Sequence, residues 1–203
     1  PAISAGVHSY AASIGAHPAV LECVPAYASL LVRFAAPRIT ATELSDFIYE
    51  LTPTSVAATG RLTHKLPVCY DGPDFEDTAK RLSLDPATFI DLHTSQDYLV
   101  SQLGFRPGFA FLGDTAPALE IDRHAAPRPH VAAGSVGLAG RQTGVYPTVS
   151  PGGWRLIGRC PIPLLRAGTD PILFRAGDLV RFYQVTATEF LHLQNNPPPW
   201  PER

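Results

Sequence analysis

Two stretches decide the reading of this chain: Leu103–Asp114, LGFRPGFAFLGD, and Ala125–Pro161, AAPRPHVAAGSVGLAGRQTGVYPTVSPGGWRLIGRCP. Glycine, proline and aromatic residues recur through both at intervals too close for plain core strands. Glycine suits a positive φ or a close backbone approach, and proline fixes φ while removing an N–H donor. Alternating both with Phe, Tyr and Trp shapes loops around something, so the site is expected here. The short strand-like runs, spaced about every 8–12 residues, predict a β-barrel or a sandwich.

Working outward, Arg61–Tyr70 reads as the strand that enters this region, Asp97–Leu103 alternates like a strand, and Leu179–Val185 reads as the last one. Asp71-Gly72-Pro73-Asp74 is a turn and Phe75–Leu82 a short helix. Asp85-Pro86 pairs an N-cap with proline at the first helical position, opening a helix that ends near His93. Upstream, VLECV and SLLVRF are strand-like runs joined through Pro25-Ala26-Tyr27. Thr40 and Glu43 form a capping-box pair, and Leu44, Phe47, Ile48 and Leu51 fall on one helical face that is expected to be core. The alanine-rich residues 1–16 read as a helix. The tail from Asn195 to Trp200, NNPPPW, is expected to be irregular, either loose or docked on a partner. The fold class is therefore α+β, mostly β: a small α/β domain over 1–63, a β-rich domain over 64–194 and a proline-rich tail over 195–203.

A formal net charge of −2 gives no electrostatic footprint for nucleic acid or an anionic membrane. The 21 prolines are spread through the length, which points to many turns more than to one linker. Cys23, Cys69 and Cys160 are far apart and odd in number, with no metal-ligand spacing. They are expected as buried thiols in a reducing compartment, with no metal or prosthetic group. Neither a signal peptide nor an apolar run near ~18 residues is visible, so the cytoplasm is the expected location. The chain begins at Pro1 and contains no methionine, so the start of the gene product is expected to lie upstream.

No GxSxG elbow, Walker A loop, HExxH or strand-following GxGxxG is present. His93 follows a helical stripe, where it can act as a general acid or base or simply cap the helix. Arg128 stands between Pro127 and Pro129, a stiff position from which a guanidinium grips a carboxylate or phosphate, or makes an ion pair. Gln142, Thr143 and Tyr146 offer neutral hydrogen-bonding groups beside glycines. The backbone around Gly134 and Ser135 can cradle an anion or be a strand bent at its glycines. Trp154 walls a pocket or fills the barrel. Phe105, Pro107, Gly108 and Phe109 form an apolar loop that lines a cleft or meets a partner.

Taken in order, PVCYDGPD, LHT before a tyrosine-bearing strand, GFRPGFAFLG, the long AAPRPHVAAGSVGLAGRQTGVYPTVSPGGWRLIGRCP block and a closing AGDLVRF resemble one family. It is the family of the B subunit of bacterial ATP-dependent 5-oxoprolinase. With it go proteins called allophanate hydrolase subunit 1, the matching carboxyltransferase subdomain of urea carboxylase, and an inhibitor of a sporulation histidine kinase. The resemblance is close from Leu66 to Phe182 and looser over VPAYASLLVRF. It implies a small N-terminal α/β domain, here without its usual first strand, followed by a cyclophilin-like β-barrel.

It also implies a hetero-oligomer with two further components. One is the paralogous C subunit, of the biotin-dependent carboxyltransferase-like family, and the other is the A subunit. That complex opens the small-molecule substrate 5-oxo-L-proline to glutamate, with ATP as cosubstrate activating the lactam as a phosphorylated imidate. On this resemblance Arg128 would hold the carboxylate or a phosphate, Gln142 and Tyr146 would contact the lactam, Gly134-Ser135-Val136 would meet an oxyanion, and His93 would carry a proton. Arg141 stands where the family usually has glycine, which adds a positive charge expected near the site. Alternative readings are a regulatory protein that inhibits a sensor histidine kinase, and a component of an allophanate or urea-amide carboxyltransferase-hydrolase system.

Overall fold

The fold is that of a computed structural model, which describes residues 2–52 and 61–201. The chain divides into two units, Pro1–Arg61 and Leu62–Arg203. In the first, helix α1 (Ala2–Gly15) precedes an antiparallel pair, β1 (Val20–Pro25) and β2 (Leu30–Phe34), and helix α2 (Ala41–Glu50) follows. The turn between the strands is closed by Ala26 N–H donating to Ser29 O at 2.9 Å. At α2 the Thr40 hydroxyl accepts from Glu43 N–H, while the Glu43 carboxylate accepts from Thr40 N–H at 2.8 Å. Two donors that the helix start leaves orphaned are thereby bonded reciprocally. Leu44 is the member of the apolar stripe that becomes buried.

The second unit is built on one seven-stranded sheet. Its strands are β3 (Thr63–Val68), β4 (Tyr98–Leu103), β5 (Ala110–Gly113), β7 (Ser135–Ala139), β8 (Gln142–Val145), β10 (Arg155–Arg159) and β11 (Leu179–Gln184). The order across the sheet is β10-β7-β8-β5-β4-β11-β3, with β11 and β3 parallel and every other neighbour antiparallel. A separate ribbon pairs β6 (Arg128–Val131) with β9 (Ser150–Gly152). Helices α3 (Phe75–Arg81) and α4 (Pro86–Thr94) pack on the sheet, and their Phe75 and Phe89 rings meet edge to face at 5.3 Å. Asp85 caps α4 by accepting from Thr88 N–H at 3.0 Å.

The two outermost strands of the sheet meet. Cys69, just past β3, donates to Arg159 O at 2.9 Å, and Arg159, at the end of β10, donates back to Cys69 O at 2.8 Å. This bridge curls the sheet into a nearly closed barrel, whose interior holds Val68, Phe89, Tyr98, Val100, Leu112, Val136, Leu138, Ile157 and Val180 without measurable exposure. Gly158 explains how the strands come so close, since a Cβ there would lie 2.6 Å from Cys69 O. The Arg159 side chain then crosses the seam to pair with the Asp71 carboxylate, with its Cζ 4.5 Å from the Phe190 ring centre.

Phe190 belongs to helix α5 (Ala187–Asn195), which no apolar period signals. Its start does carry a signal, a Thr186 and Glu189 capping box with the same spacing as Thr40 and Glu43. The tail beyond it is irregular in its described part, but it is anchored to this chain. Trp200 Nε1 donates to Pro163 O at 3.1 Å, and the Arg166 guanidinium lies 4.4 Å over its ring.

Gly158→Ala is expected to lower the unfolding free energy by about 1–3 kcal/mol, the usual cost of inserting a methyl group into a packed site. Denaturant unfolding followed by circular dichroism checks this; an unchanged midpoint would mean the seam has room to open.

Candidate functional site

Strand β5 uses its two faces for two purposes. Successive side chains of a strand point to opposite sides, so Ala110 and Leu112 enter the barrel core while Phe109 and Phe111 face outward. Beneath these rings the neighbouring strands carry glycine. A Cβ on Gly144 of β8 would lie 3.2 Å from Phe109 and 3.3 Å from Trp154, and one on Gly137 of β7 would lie 3.1 Å from Trp154 and 3.3 Å from Tyr146. Two glycines of GSVGLAGRQTG, Gly137 and Gly144, thus clear a floor on which aromatic rings lie. Phe109 stands at the centre of the group, with Phe111, Tyr146, Trp154 and Phe105 at centroid distances of 5.0, 5.3, 5.4 and 5.5 Å, all edge-on. Such contacts contribute about 0.5–1.5 kcal/mol each beyond their area.

These five aromatic residues, with Arg123, Gly152 and Gly153, line a cavity of about 200 Å³. Phe105 forms its lip. It is 56% exposed and sits at φ 69°, a left-handed conformation that strains a bulky side chain. The tight loop holds it there, with Gly104 N–H donating to Phe109 O and Phe109 N–H to Arg106 O. On the other side of Phe105, Leu103, Arg106, Pro107, Gly108 and Ile172 border a more open cleft of about 340 Å³.

A charged group flanks the aromatic one. Asp74, at the start of α3, is nearly buried. Its Oδ1 accepts from Arg128 Nη2 at 2.6 Å and its Oδ2 from Leu156 N–H at 2.7 Å, with His124 Nε2 3.2 Å away. Burial pushes the Asp74 carboxyl up, but the Arg128 guanidinium, the Leu156 N–H and His124 together hold it below the usual range. Arg155 spans from the Asp122 carbonyl to Asp77. Tyr146 is raised above the ordinary phenol value by burial, with the Trp154 backbone and Arg128 opposing.

Of the residues singled out from the sequence, the fold brings Phe105, Phe109, Tyr146 and Trp154 together around one cavity and sets Pro107 and Gly108 in the adjoining cleft. Arg128 lies beside them with one end of its guanidinium bound to Asp74, while its Nη1 is buried without a partner. Gly134 N–H is bonded to Tyr146 O at 2.7 Å and Ser135 N–H to Ala132 O at 3.2 Å, so both donors are already engaged. Gln142 pairs with Gly113 and Ala139 within the sheet. Arg141, expected near the site, is tied to the Thr115 carbonyl at 3.2 Å and lines neither cavity.

His93 is fully buried inside the barrel. Its Nδ1 meets Tyr70 Oη at 2.6 Å, its Nε2 meets Thr143 Oγ1 at 2.9 Å, and its ring stacks on Phe182 at 4.7 Å. The Thr143 hydroxyl donates to Gly137 O at 3.0 Å, so its oxygen accepts from Nε2–H and Nδ1 accepts from Tyr70. Burial lowers the His93 pKa to about 3, which keeps the ring neutral. Phe111, Gly152, Gly153 and Arg123 are cavity residues that sequence reasoning does not single out. The alternation of Phe109 and Phe111 is a signal for the first, whereas Arg123 carries none. Among the described residues no group of three or more His, Cys, Asp and Glu side chains could hold a metal ion, and no helix is long and apolar enough to cross a membrane.

A family model described as carboxyltransferase domain, subdomain C and D, matches residues 1–174. The chain belongs to this family, together with the B subunits of 5-oxoprolinase. It is similar to the 5-oxoprolinase B subunit of Bacillus subtilis, at 38% identity over 91% of this chain and 84% of that one. Among solved structures it is similar to TTHA0988, with a TM-score of 0.79 and 33% identity over 98% of this chain. It spans only 38% of the TTHA0988 chain. The K. lactis urea amidolyase shares the fold, with a TM-score of 0.72 at 17% identity over 95% of this chain and 14% of that one.

Because His93 binds its proton less readily folded than unfolded, the unfolded chain takes up more protons between the ordinary pKa of 6.5 and about 3. Its contribution to stability is therefore complete above the unfolded value and is lost as pH falls through that window, by roughly 1 kcal/mol per pH unit. Urea unfolding from pH 7 to 4 is expected to show a shallower decline for His93→Gln than for the wild type. Equal slopes would show that His93 is not kept neutral.

Proposed function

We propose that this chain is the B subunit of a 5-oxoprolinase, acting in the cytoplasm within a hetero-oligomer that includes a paralogous C subunit and an A subunit. The assembly opens the lactam of 5-oxo-L-proline to glutamate at the expense of ATP. The observation that carries this reading is the 38% identity to a 5-oxoprolinase B subunit over 91% of the chain. The cavity supports it, because about 200 Å³ walled by five aromatic rings suits a small flat ring.

The same cavity does not fit ATP. Its volume lies below the roughly 300 Å³ at which sites for larger ligands begin, and apart from Arg123 its walls offer rings and glycines where a triphosphate needs several donors and cations. No step through ATP is therefore assigned to this chain. ATP would supply activation of the lactam oxygen. What these residues contribute is binding and positioning. Phe105, Phe109, Phe111 and Trp154 hold the ring and exclude water, and neutral Tyr146 offers a hydroxyl to a polar edge. In this reading His93 holds the barrel core, where none of its atoms is exposed.

The test is glutamate release from 5-oxoproline and ATP by this chain co-expressed with its A and C counterparts. Activity that requires this chain is expected. An assembled complex that releases no glutamate would overturn the 5-oxoproline assignment in favour of another amide, and failure to assemble would favour a regulator of a histidine kinase.

A further inference from the structure

Arg123 is the one cavity-lining residue with a formal charge, the others being aromatic or glycine. Its backbone is held on both sides. Ile121 exchanges two hydrogen bonds with Gly140, the Asp122 carbonyl accepts from Arg155 Nε at 2.9 Å, and His124 N–H donates to Gly153 O at 2.7 Å. The neighbouring arginines are paired, Arg128 with Asp74 and Arg155 with Asp77. None of the described ion pairs or side-chain hydrogen bonds includes Arg123. A guanidinium on a pinned segment, at the rim of an uncharged aromatic cavity and with no carboxylate of its own, is arranged to receive one from a ligand.

We propose that Arg123 is the carboxylate anchor of this cavity, binding small molecules that carry a carboxylate beside a flat ring, with the ring lodged against Phe109 and Trp154. Resting on the 5-oxoprolinase reading, this gives Arg123, in place of Arg128, the grip on the 5-oxoproline carboxylate. Arg128 acts as a positioning residue, tying β6 to Asp74. The lactam carbonyl then points into the cavity while the carboxylate stays at the rim, an orientation that a ring without the carboxylate would not adopt reliably.

The test uses the full chain carrying Trp200→Phe, so that Trp154 is the single indole, and follows its emission during titration with 5-oxo-L-proline or with 2-pyrrolidinone, the same ring lacking the carboxylate. Glutamate release by the assembled complex is measured in parallel. Arg123→Leu is expected to weaken 5-oxoproline binding and raise KM about 10–100-fold, the span of a lost charge-assisted hydrogen-bond pair, with kcat changed much less. Arg123→Lys should recover part of this, and 2-pyrrolidinone should bind both variants as weakly as the wild type. Arg123 lies on an exposed segment, so far-ultraviolet circular dichroism should be unchanged.

The two proposals fail separately. A complex that releases glutamate with the same KM after Arg123→Leu overturns the anchor and leaves the oxoprolinase reading standing. Absence of glutamate release, together with an Arg123-dependent Trp154 response to pyrrole-2-carboxylate, overturns 5-oxoproline as substrate and supports the anchor. No Trp154 response to either carboxylate, alone or in the complex, overturns the anchor.

Discussion

The backbone bridge between Cys69 and Arg159 is the constraint on which the rest of the second unit depends. An open sheet would leave β3 and β10 as edges with unpaired N–H and C=O groups, which invite association. Closing them against each other removes part of that hazard and bends the sheet enough to separate a buried interior from a usable exterior. The closure needs a strand without a side chain at Gly158, because the Cys69 carbonyl occupies the space. It is reinforced by Arg159, which reaches Asp71 and lies over Phe190. Asp74 sits a few residues beyond the bridge. By accepting from Leu156 of β10 and from Arg128 of β6 it joins the seam to the ribbon beside the cavity.

The cavity is the other side of the same sheet. One strand of alternating residues sends Ala110 and Leu112 inward and Phe109 and Phe111 outward, so the core and the aromatic wall are set by a single register. A slip of one residue would exchange the two sets. Glycines on β7 and β8 complete the arrangement, since a methyl group at Gly137 or Gly144 would press on Trp154, Tyr146 or Phe109. The floor for the rings lies a few residues beyond the Gly134-Ser135 turn that reads as an anion cradle in sequence. The Gly134 and Ser135 N–H groups serve the chain's own carbonyls.

Electrostatics sort the arginines in a way that local sequence does not. Arg128 is conspicuous between two prolines, but its partner, Asp74, lies 54 residues upstream. Arg123 is inconspicuous in sequence and acquires its place because Ile121, Asp122 and His124 are each fastened to distant segments. His93 reads as a helix-end histidine with a choice of roles. The fold resolves its surroundings by burying the ring between Tyr70, Thr143 and Phe182, where desolvation removes its charge.

What the amino-acid sequence determines by itself is the set of elements whose causes act within a turn or two. The Thr40 and Glu43 box, the Asp85-Pro86 helix start and the alternation in β4 are all legible because caps and periods involve residues only one to four apart. The same kind of signal at Thr186 and Glu189 announces α5, and the family resemblance rests on motifs that are likewise local strings. Barrel closure, the aromatic cavity and the pairing of one arginine but not another were decided only in the tertiary structure. Each depends on groups separated by tens of residues, and their interaction energies exist only after the sheet has curled and brought them within a few ångströms.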